Sequence, residues 1–348
     1  MDFNLDSYVR TSLLTLQPYQ SAREEFVNQG RKMILLDANE NPFETESNRY
    51  PDPLQVDLKE RIAKWKRVPP DQLYLSNGSD EFISQLIMSC CEPKQDSILI
   101  LPPTFGMYQV AARTHGVGVV EAPLTKDFQL DLSEISNVLT PQVKILFIPT
   151  PNNPTANSFE PEALLTLLNT FSGLVVIDEA YVEFSKEESF ISQLEHYPNL
   201  VVCQTFSKAQ GLAGARLGMA FAHPKLIQFL NRIKAPYNIN SLTIAAALKR
   251  LEEQDRVLSQ VDYILKERMK LETELPKISF IANCFPSDAN FILVKVDNSA
   301  LRYDQLIDQG IVVRNPSKNR GCENTLRITV GRAEENKALL TALKNMES

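Results

Sequence analysis

Lys144-Ile145-Leu146-Phe147-Ile148 runs into Pro149-Thr150-Pro151-Asn152-Asn153-Pro154, and two later stretches repeat the pattern. Leu174-Val175-Val176-Ile177 ends on Asp178-Glu179-Ala180-Tyr181, and Leu200-Val201-Val202-Cys203 ends on Gln204-Thr205-Phe206-Ser207-Lys208. Each is a short apolar run rich in β-branched residues, as expected of a strand buried on both faces. Residues 97–101 and 217–222 read the same way. Between these runs lie helical patterns: Phe82, Ile83, Leu86 and Ile87 recur after Ser79-Asp80-Glu81, and Leu164, Leu165, Leu167 and Leu168 after Glu160-Pro161. Alternating strands and helices predict an α/β fold with a mainly parallel sheet covered on both faces.

Working outward, residues 241–275 carry an apolar stripe through Leu242, Ile244, Leu248, Leu251, Val257, Val261 and Leu265. They predict one long helix and a domain boundary. Beyond it, residues 290–296, 311–313 and 325–330 read as strands of a smaller α+β unit. The 348 residues suit about two domains at roughly 150 residues each.

Composition narrows the function. At 43% apolar and 23% charged the chain is an ordinary globular one, which sets aside disordered and fibrous classes. A net charge of −7 argues against a general nucleic-acid surface and leaves local basic pockets for small anions open. No apolar run reaches the ~18 residues of a membrane span, and the acidic start lacks a secretory pattern, so a cytoplasmic location is expected. Five cysteines without a C-x-x-C pair suit free buried thiols, and three scattered histidines predict no metal site. The phosphate loop G-x-x-x-x-G-K-[ST] and the G-x-S-x-G elbow are both missing.

Open α/β sheets collect ligands outside the carboxyl ends of their strands, so the residues ending each run are the candidates. Asn153, Asp178, Tyr181, Thr205, Ser207 and Lys208 fall there together. A carboxylate ending a strongly apolar strand needs a cationic partner, which Asp178 must find. Lys208 beside Thr205 and Ser207, with Arg216 following, offers an amine for a Schiff base and donors for a phosphate, a set suited to a phosphorylated aldehyde. A second anion cradle is Ser76-Asn77-Gly78-Ser79-Asp80-Glu81, where a glycine turn opens a helix; its acids also serve as ordinary capping.

These residues resemble the fold-type I, pyridoxal-phosphate-dependent aminotransferases, and within them the histidinol-phosphate branch. The likeness spans nearly the whole chain. It runs through Leu16-Gln17-Pro18-Tyr19-Gln20-Ser21-Ala22-Arg23, Asp37-Ala38-Asn39-Glu40-Asn41-Pro42, Asn48-Arg49-Tyr50-Pro51 and Pro102-Pro103-Thr104-Phe105-Gly106-Met107-Tyr108. It continues through Pro151-Asn152-Asn153-Pro154-Thr155, Asp178-Glu179-Ala180-Tyr181, Ser207-Lys208, Gly211-Leu212-Ala213-Gly214-Ala215-Arg216-Leu217-Gly218 and Leu326-Arg327-Ile328-Thr329-Val330-Gly331.

The resemblance implies a large, mainly parallel mixed-sheet domain over residues 30–240, an N-terminal arm over 1–29 and a small α+β domain over 241–348. It implies pyridoxal 5′-phosphate as cofactor, with Lys208 as covalent anchor and proton carrier and Asp178 at the pyridine nitrogen. Tyr181 and Asn153 then serve the phenolic oxygen, and Phe105 stacks on the ring. Ser79, Asp80, Thr205, Ser207 and Arg216 form the phosphate cup, completed by Tyr50 of a second subunit, so a homodimer is expected. Arg314 and Arg327, with Tyr19 and Asn153, form the substrate anion clamp. The implied reaction moves an amino group between glutamate and imidazole-acetol phosphate, giving 2-oxoglutarate and histidinol phosphate, a step of histidine biosynthesis, by ping-pong chemistry. Alternatives on the same scaffold are an aromatic amino-acid aminotransferase, a threonine-phosphate decarboxylase and a non-catalytic cofactor-binding sensor. Two positions depart from the family pattern: Phe105 stands where tyrosine is frequent, and Ala156 where glycine commonly follows Asn-Pro-Thr.

Overall fold

Residues 3–19, 23 and 33–346 are described by a computed structural model of the chain. The apolar runs become strands because each alternates its side chains between two covered faces. Seven strands form one sheet: β1 (Leu73–Ser76), β2 (Ser97–Ile100), β3 (Gly118–Glu121), β4 (Val143–Pro149), β5 (Leu174–Asp178), β6 (Leu200–Thr205) and β7 (Gly218–Ala222). Their order is β1-β7-β6-β5-β4-β2-β3. The strands from β3 through β6 are parallel, while β7 is antiparallel to both its neighbours. The expected mixed, mainly parallel α/β sheet is therefore present.

Residue alternation divides the core in two. Leu146, Ile148, Val175 and Ile177 point to one face with Leu58, Leu164 and Ala247 from the covering helices. Ile145, Phe147, Leu174 and Val176 point to the other, with Phe82, Tyr108 and Leu226. Phe3 and Val9 pack on this second face, and the Phe3 ring stacks on His223 at 4.2 Å. Phe3 and Val9 are thus held against the sheet. Of the first quoted motif, Gln20, Ser21 and Ala22 lie outside the described residues, as does most of the second half of the 1–29 segment.

The second unit is an antiparallel sheet in the order β10-β9-β8, with β8 (Ile281–Cys284), β9 (Phe291–Val296) and β10 (Thr325–Thr329). Two expectations need correction. The long helix over 241–275 is two helices, Ser241–Glu252 and Gln254–Glu274, because Glu253 leaves helical geometry at φ −103°, ψ 29°. Residues 311–313 are not a strand. After the turn at Gly310 (φ +75°) only Arg314 bridges Arg327, and Pro316 two residues later has no N–H to extend the pairing. The sequence reading also assigned no strand to β1, β3 or β8, each four residues long.

Candidate active site

Parallel strands bring their carboxyl ends to one rim, and the register fixes what meets there. Asp178 at the end of β5 lies opposite Pro149 of β4 and Cys203 of β6, and it is 4% exposed. Its Oδ2 accepts from the Tyr108 hydroxyl at 2.7 Å, and its Oδ1 from the Ala180 N–H at 3.2 Å. Burial pushes the Asp178 carboxyl up to about 6, while those two donors and Lys208 pull against that rise.

Lys208 follows β6 on a loop pinned at both ends. Phe206 N–H donates to the Leu217 carbonyl at 3.0 Å, and Gly211 N–H to the Lys208 carbonyl at 2.9 Å. The amine reaches solvent through the cavity, 5.4 Å from the centre of the Tyr181 ring. The surrounding walls, with Arg327 and Arg216, hold its ammonium below the usual lysine range, opposed by Asp178 and Asp80. Burial raises the Tyr181 phenol to about 12, keeping it a neutral donor.

Beside these groups the helix Gly78–Cys90 begins. Its first-turn N–H groups have no partners within the helix, and Ser79 and Asp80 of that turn line the cavity. A Cβ on Gly218 would stand 2.5 Å from the Gly78 carbonyl carbon and 2.6 Å from the Ser79 nitrogen, so only glycine lets β7 approach the helix start. Arg216 leaves that corner and its guanidinium donates to Asp80 at 3.2 Å. The Thr205 hydroxyl contacts the Leu217 carbonyl at 3.2 Å and accepts from Ser207 N–H at 3.1 Å.

From the second unit, Arg327 of β10 extends over the Phe291 ring and its guanidinium donates to the Asn153 side-chain oxygen. Arg314 is its backbone partner in the bridge. Asp178, Tyr181, Thr205, Ser207, Lys208, Arg216, Asn153, Arg314 and Arg327, with Ser79, Asp80 and Phe105, line one cavity of about 720 Å³. Five cations (Lys208, Arg216, Arg314, Lys318 and Arg327) face it against the carboxylates of Asp80 and Asp178. An acidic chain has thus built a locally positive pocket, which selects anionic ligands.

Tyr19 and Tyr50 are not among the residues lining this cavity. Tyr19 is 75% exposed. Tyr50 stacks on Tyr237 at 4.5 Å and lines a separate hollow with Glu40, Arg49 and Leu242. Ala156 adopts φ +69°, the left-handed conformation glycine takes easily, and fits it with its methyl fully buried. Sequence reasoning missed Tyr108 as the Asp178 partner and Thr104, whose hydroxyl is buried with no hydrogen-bond partner among the described residues. A signal for Tyr108 existed: a phenol on a helix face shared with Ala111 and Ala112 is buried, and a buried hydroxyl must find an acceptor. Among the described residues, no group of His, Cys, Asp and Glu side chains has the geometry of a metal site, and no helix is long and apolar enough to cross a membrane.

A buried strand-end aspartate, a loop lysine across from it and a helix start beside both define the fold-type I aminotransferase arrangement, and the chain belongs to the class I and II aminotransferase family, whose model matches residues 31–343. It is 47% identical over 347 residues to the histidinol-phosphate aminotransferase of Christiangramia forsetii, covering 100% of this chain and 99% of that protein. Among solved structures, the histidinol-phosphate aminotransferase of Clostridium acetobutylicum superposes with a TM-score of 0.80 at 27% identity, over 87% of this chain and 91% of that one. The Sinorhizobium meliloti histidinol-phosphate aminotransferase, solved in complex with pyridoxal 5′-phosphate, gives 0.80 at 25% identity, over 87% and 84%.

Proposed function

We infer that the chain is a pyridoxal-phosphate-dependent aminotransferase interconverting histidinol phosphate and 2-oxoglutarate with imidazole-acetol phosphate and glutamate. The observation that carries this reading is full-length likeness, at 47% identity, to a protein of that name, joined to a cavity whose polar groups suit the cofactor's parts. The fit rests on three features of the pocket. The Gly78–Gly218 approach leaves a helix start bare for a phosphate, Asp178 presents a buried carboxylate for a ring nitrogen, and the Thr104 hydroxyl awaits a partner.

When bound, pyridoxal phosphate supplies an aldehyde that takes up the amino group and a ring that spreads the negative charge left on the substrate carbon. The protein's part is positional and protic. Asp178 would hold positive charge at the ring nitrogen, Phe105 would pack against the ring, and Tyr181 and Asn153 would donate to the phenolic oxygen. Ser79, Thr205, Ser207 and Arg216 take the phosphate; Asp80 aims Arg216 with its carboxylate and offers its own backbone N–H. The Lys208 amine would hold the cofactor's aldehyde and is the group placed to move a proton at the substrate carbon. Burial and the nearby Arg327 lower its proton affinity, the direction that favours such a role.

Arg327 and Arg314 bind the substrate anion, the carboxylates of glutamate and the phosphate of the imidazole substrate in turn, with Asn153 holding the Arg327 fork. Tyr50 sits outside its own cavity and exposed, which supports its service to the cofactor phosphate of a second subunit in a homodimer. Tyr19, exposed on the arm, is read as closing over the substrate. We divide the chain into an arm (1–29), a large cofactor-binding domain (30–240) and a small domain (241–348), acting in the cytoplasm.

The test is a half-reaction: cofactor-loaded protein mixed separately with histidinol phosphate, phenylalanine and threonine phosphate, reading pyridoxamine phosphate and carbon dioxide. Rapid pyridoxamine phosphate from histidinol phosphate supports the assignment. Faster conversion of phenylalanine overturns the substrate, and carbon dioxide from threonine phosphate overturns the reaction class.

A further inference from the structure

We propose that Tyr108 is a positioning residue for amino transfer, which through its hydroxyl fixes the orientation and maintains the negative charge of the Asp178 carboxylate. The proposal rests on the reading that Asp178 serves the cofactor's ring nitrogen.

Tyr108 lies on the helix Met107–Thr114 and is fully buried. Its ring is fixed on two sides. It stacks on Phe147 of β4 at 4.6 Å and 14°, and meets Phe105 edge-on at 5.6 Å and 87°. Phe147 pairs in register with Val176, two residues before Asp178, so strand geometry sets the distance between phenol and carboxylate. The hydroxyl then reaches Oδ2 at 2.7 Å, the shorter of the two bonds that the Asp178 carboxylate accepts from the described residues. With Oδ2 occupied, Oδ1 has only the longer Ala180 contact and is the oxygen left to share with a ligand.

The surrounding charges single out this bond. Lys208 favours the ionised carboxylate and Asp80 opposes it. Cys203 and Tyr181 also face Asp178, but burial raises both well above their ordinary ranges, so they stay neutral. Burial alone drives Asp178 toward its protonated form, and among its neighbours the Tyr108 bond resists that most. Burial beside Asp178 pushes the phenol's own ionisation far up, so Tyr108 keeps the proton that it donates to the carboxylate. A charge-assisted bond held in this way sets both the angle and the protonation of the group it supports.

Tyr108→Phe keeps the ring, the stack and the volume and removes only the donor. In the cofactor-loaded enzyme we expect kcat to fall about tenfold with KM for glutamate nearly unchanged. The pH midpoint of the bound cofactor's visible absorbance should rise, because the ring nitrogen loses part of its positive charge. The same substitution placed in an Asp178→Asn background should move neither kcat nor that midpoint further, since Tyr108 acts only through the carboxylate. Equal losses in both backgrounds would mark Tyr108 as a packing residue and overturn the proposal. So would an unmoved midpoint and kcat in Tyr108→Phe while Asp178→Asn is slow, which leaves the reading of Asp178 standing. An Asp178→Asn enzyme as fast as its parent overturns both.

Discussion

The Arg216 guanidinium and the Asp80 carboxylate meet at 3.2 Å over the point where Gly78 and Gly218 bring two backbones together. A Cβ on Gly78 would itself stand 2.5 Å from an Arg216 nitrogen. Helix start, guanidinium and strand end therefore share a corner with no room for a methyl group. Gly218→Ala should push the helix start outward, at about 1–3 kcal/mol of strain. We expect weakened retention of pyridoxal phosphate, read by dialysis and fluorescence titration, and little change for pyridoxal, which lacks the phosphate. Equal weakening of both would place the phosphate elsewhere.

Lys208→Ala removes the amine that anchors the aldehyde and carries the proton, and it should end multiple-turnover transamination. The fold should not suffer. The Lys208 ammonium is held below its usual range, so at neutral pH the folded state opposes a charge the unfolded chain carries freely. The cofactor-free variant is expected to melt no lower than its parent by calorimetry. Sustained turnover in this variant would remove Lys208 from its role.

Asp178 gives a pH-dependent prediction with a definite sign. Its carboxyl titrates near 6 in the folded chain against an ordinary 3.8, so between those values the native state binds the extra proton. Stability contributed by that proton is complete at low pH and lost as pH rises through about 6. In the cofactor-free protein Asp178→Asn, which cannot ionise, should therefore gain stability relative to its parent between pH 4 and pH 8. The gain is on the order of 2–3 kcal/mol. Urea unfolding of both proteins at the two pH values measures it; a pH-independent difference would show that the carboxylate is compensated without the cofactor. Loading the cofactor should reverse the ranking, since the ring nitrogen pairs with the carboxylate but not with the amide.

Much of this site could be read from the chain because its parts are strand ends. Isoleucine, leucine and valine runs reveal β4, β5 and β6 by composition alone, and the parallel arrangement then gathers Asn153, Asp178 and Lys208 on one rim. Motif likeness supplied Arg327 and Arg314 from a unit far along the chain. What escaped was decided by contacts with no local period. β3 and β8 are short edge strands with half-exposed residues, and Glu253 breaks a helix whose apolar stripe continues on both sides. Tyr108 escaped because the motif around it drew attention to Phe105, while its acceptor lies 70 residues away. Tyr50 enters only through resemblance; in the structure it lines a separate hollow with Glu40, Arg49 and Leu242.

On the proposed reading both substrates converge on Arg327, and its geometry shows why charge alone is insufficient there. One guanidinium nitrogen is spent on Asn153, the flat face lies 5.2 Å from the Phe291 ring centre, and the backbone exchanges both bonds with Arg314 at 3.0 and 2.8 Å. The fork is thereby aimed before a ligand arrives. Arg327→Lys preserves the charge and loses the planar fork, the Asn153 bond geometry and the packing on Phe291. Losing a charged hydrogen-bonding arrangement of this kind is worth about 2 kcal/mol, or roughly thirtyfold in kcat/KM. Because the interaction is made with the bound substrate throughout, the loss should appear mainly in KM. Parallel increases for glutamate and histidinol phosphate are expected in separate half-reactions. An increase confined to glutamate would mean that the phosphate of the imidazole substrate is bound by other cations of the cavity, and the shared clamp would be withdrawn.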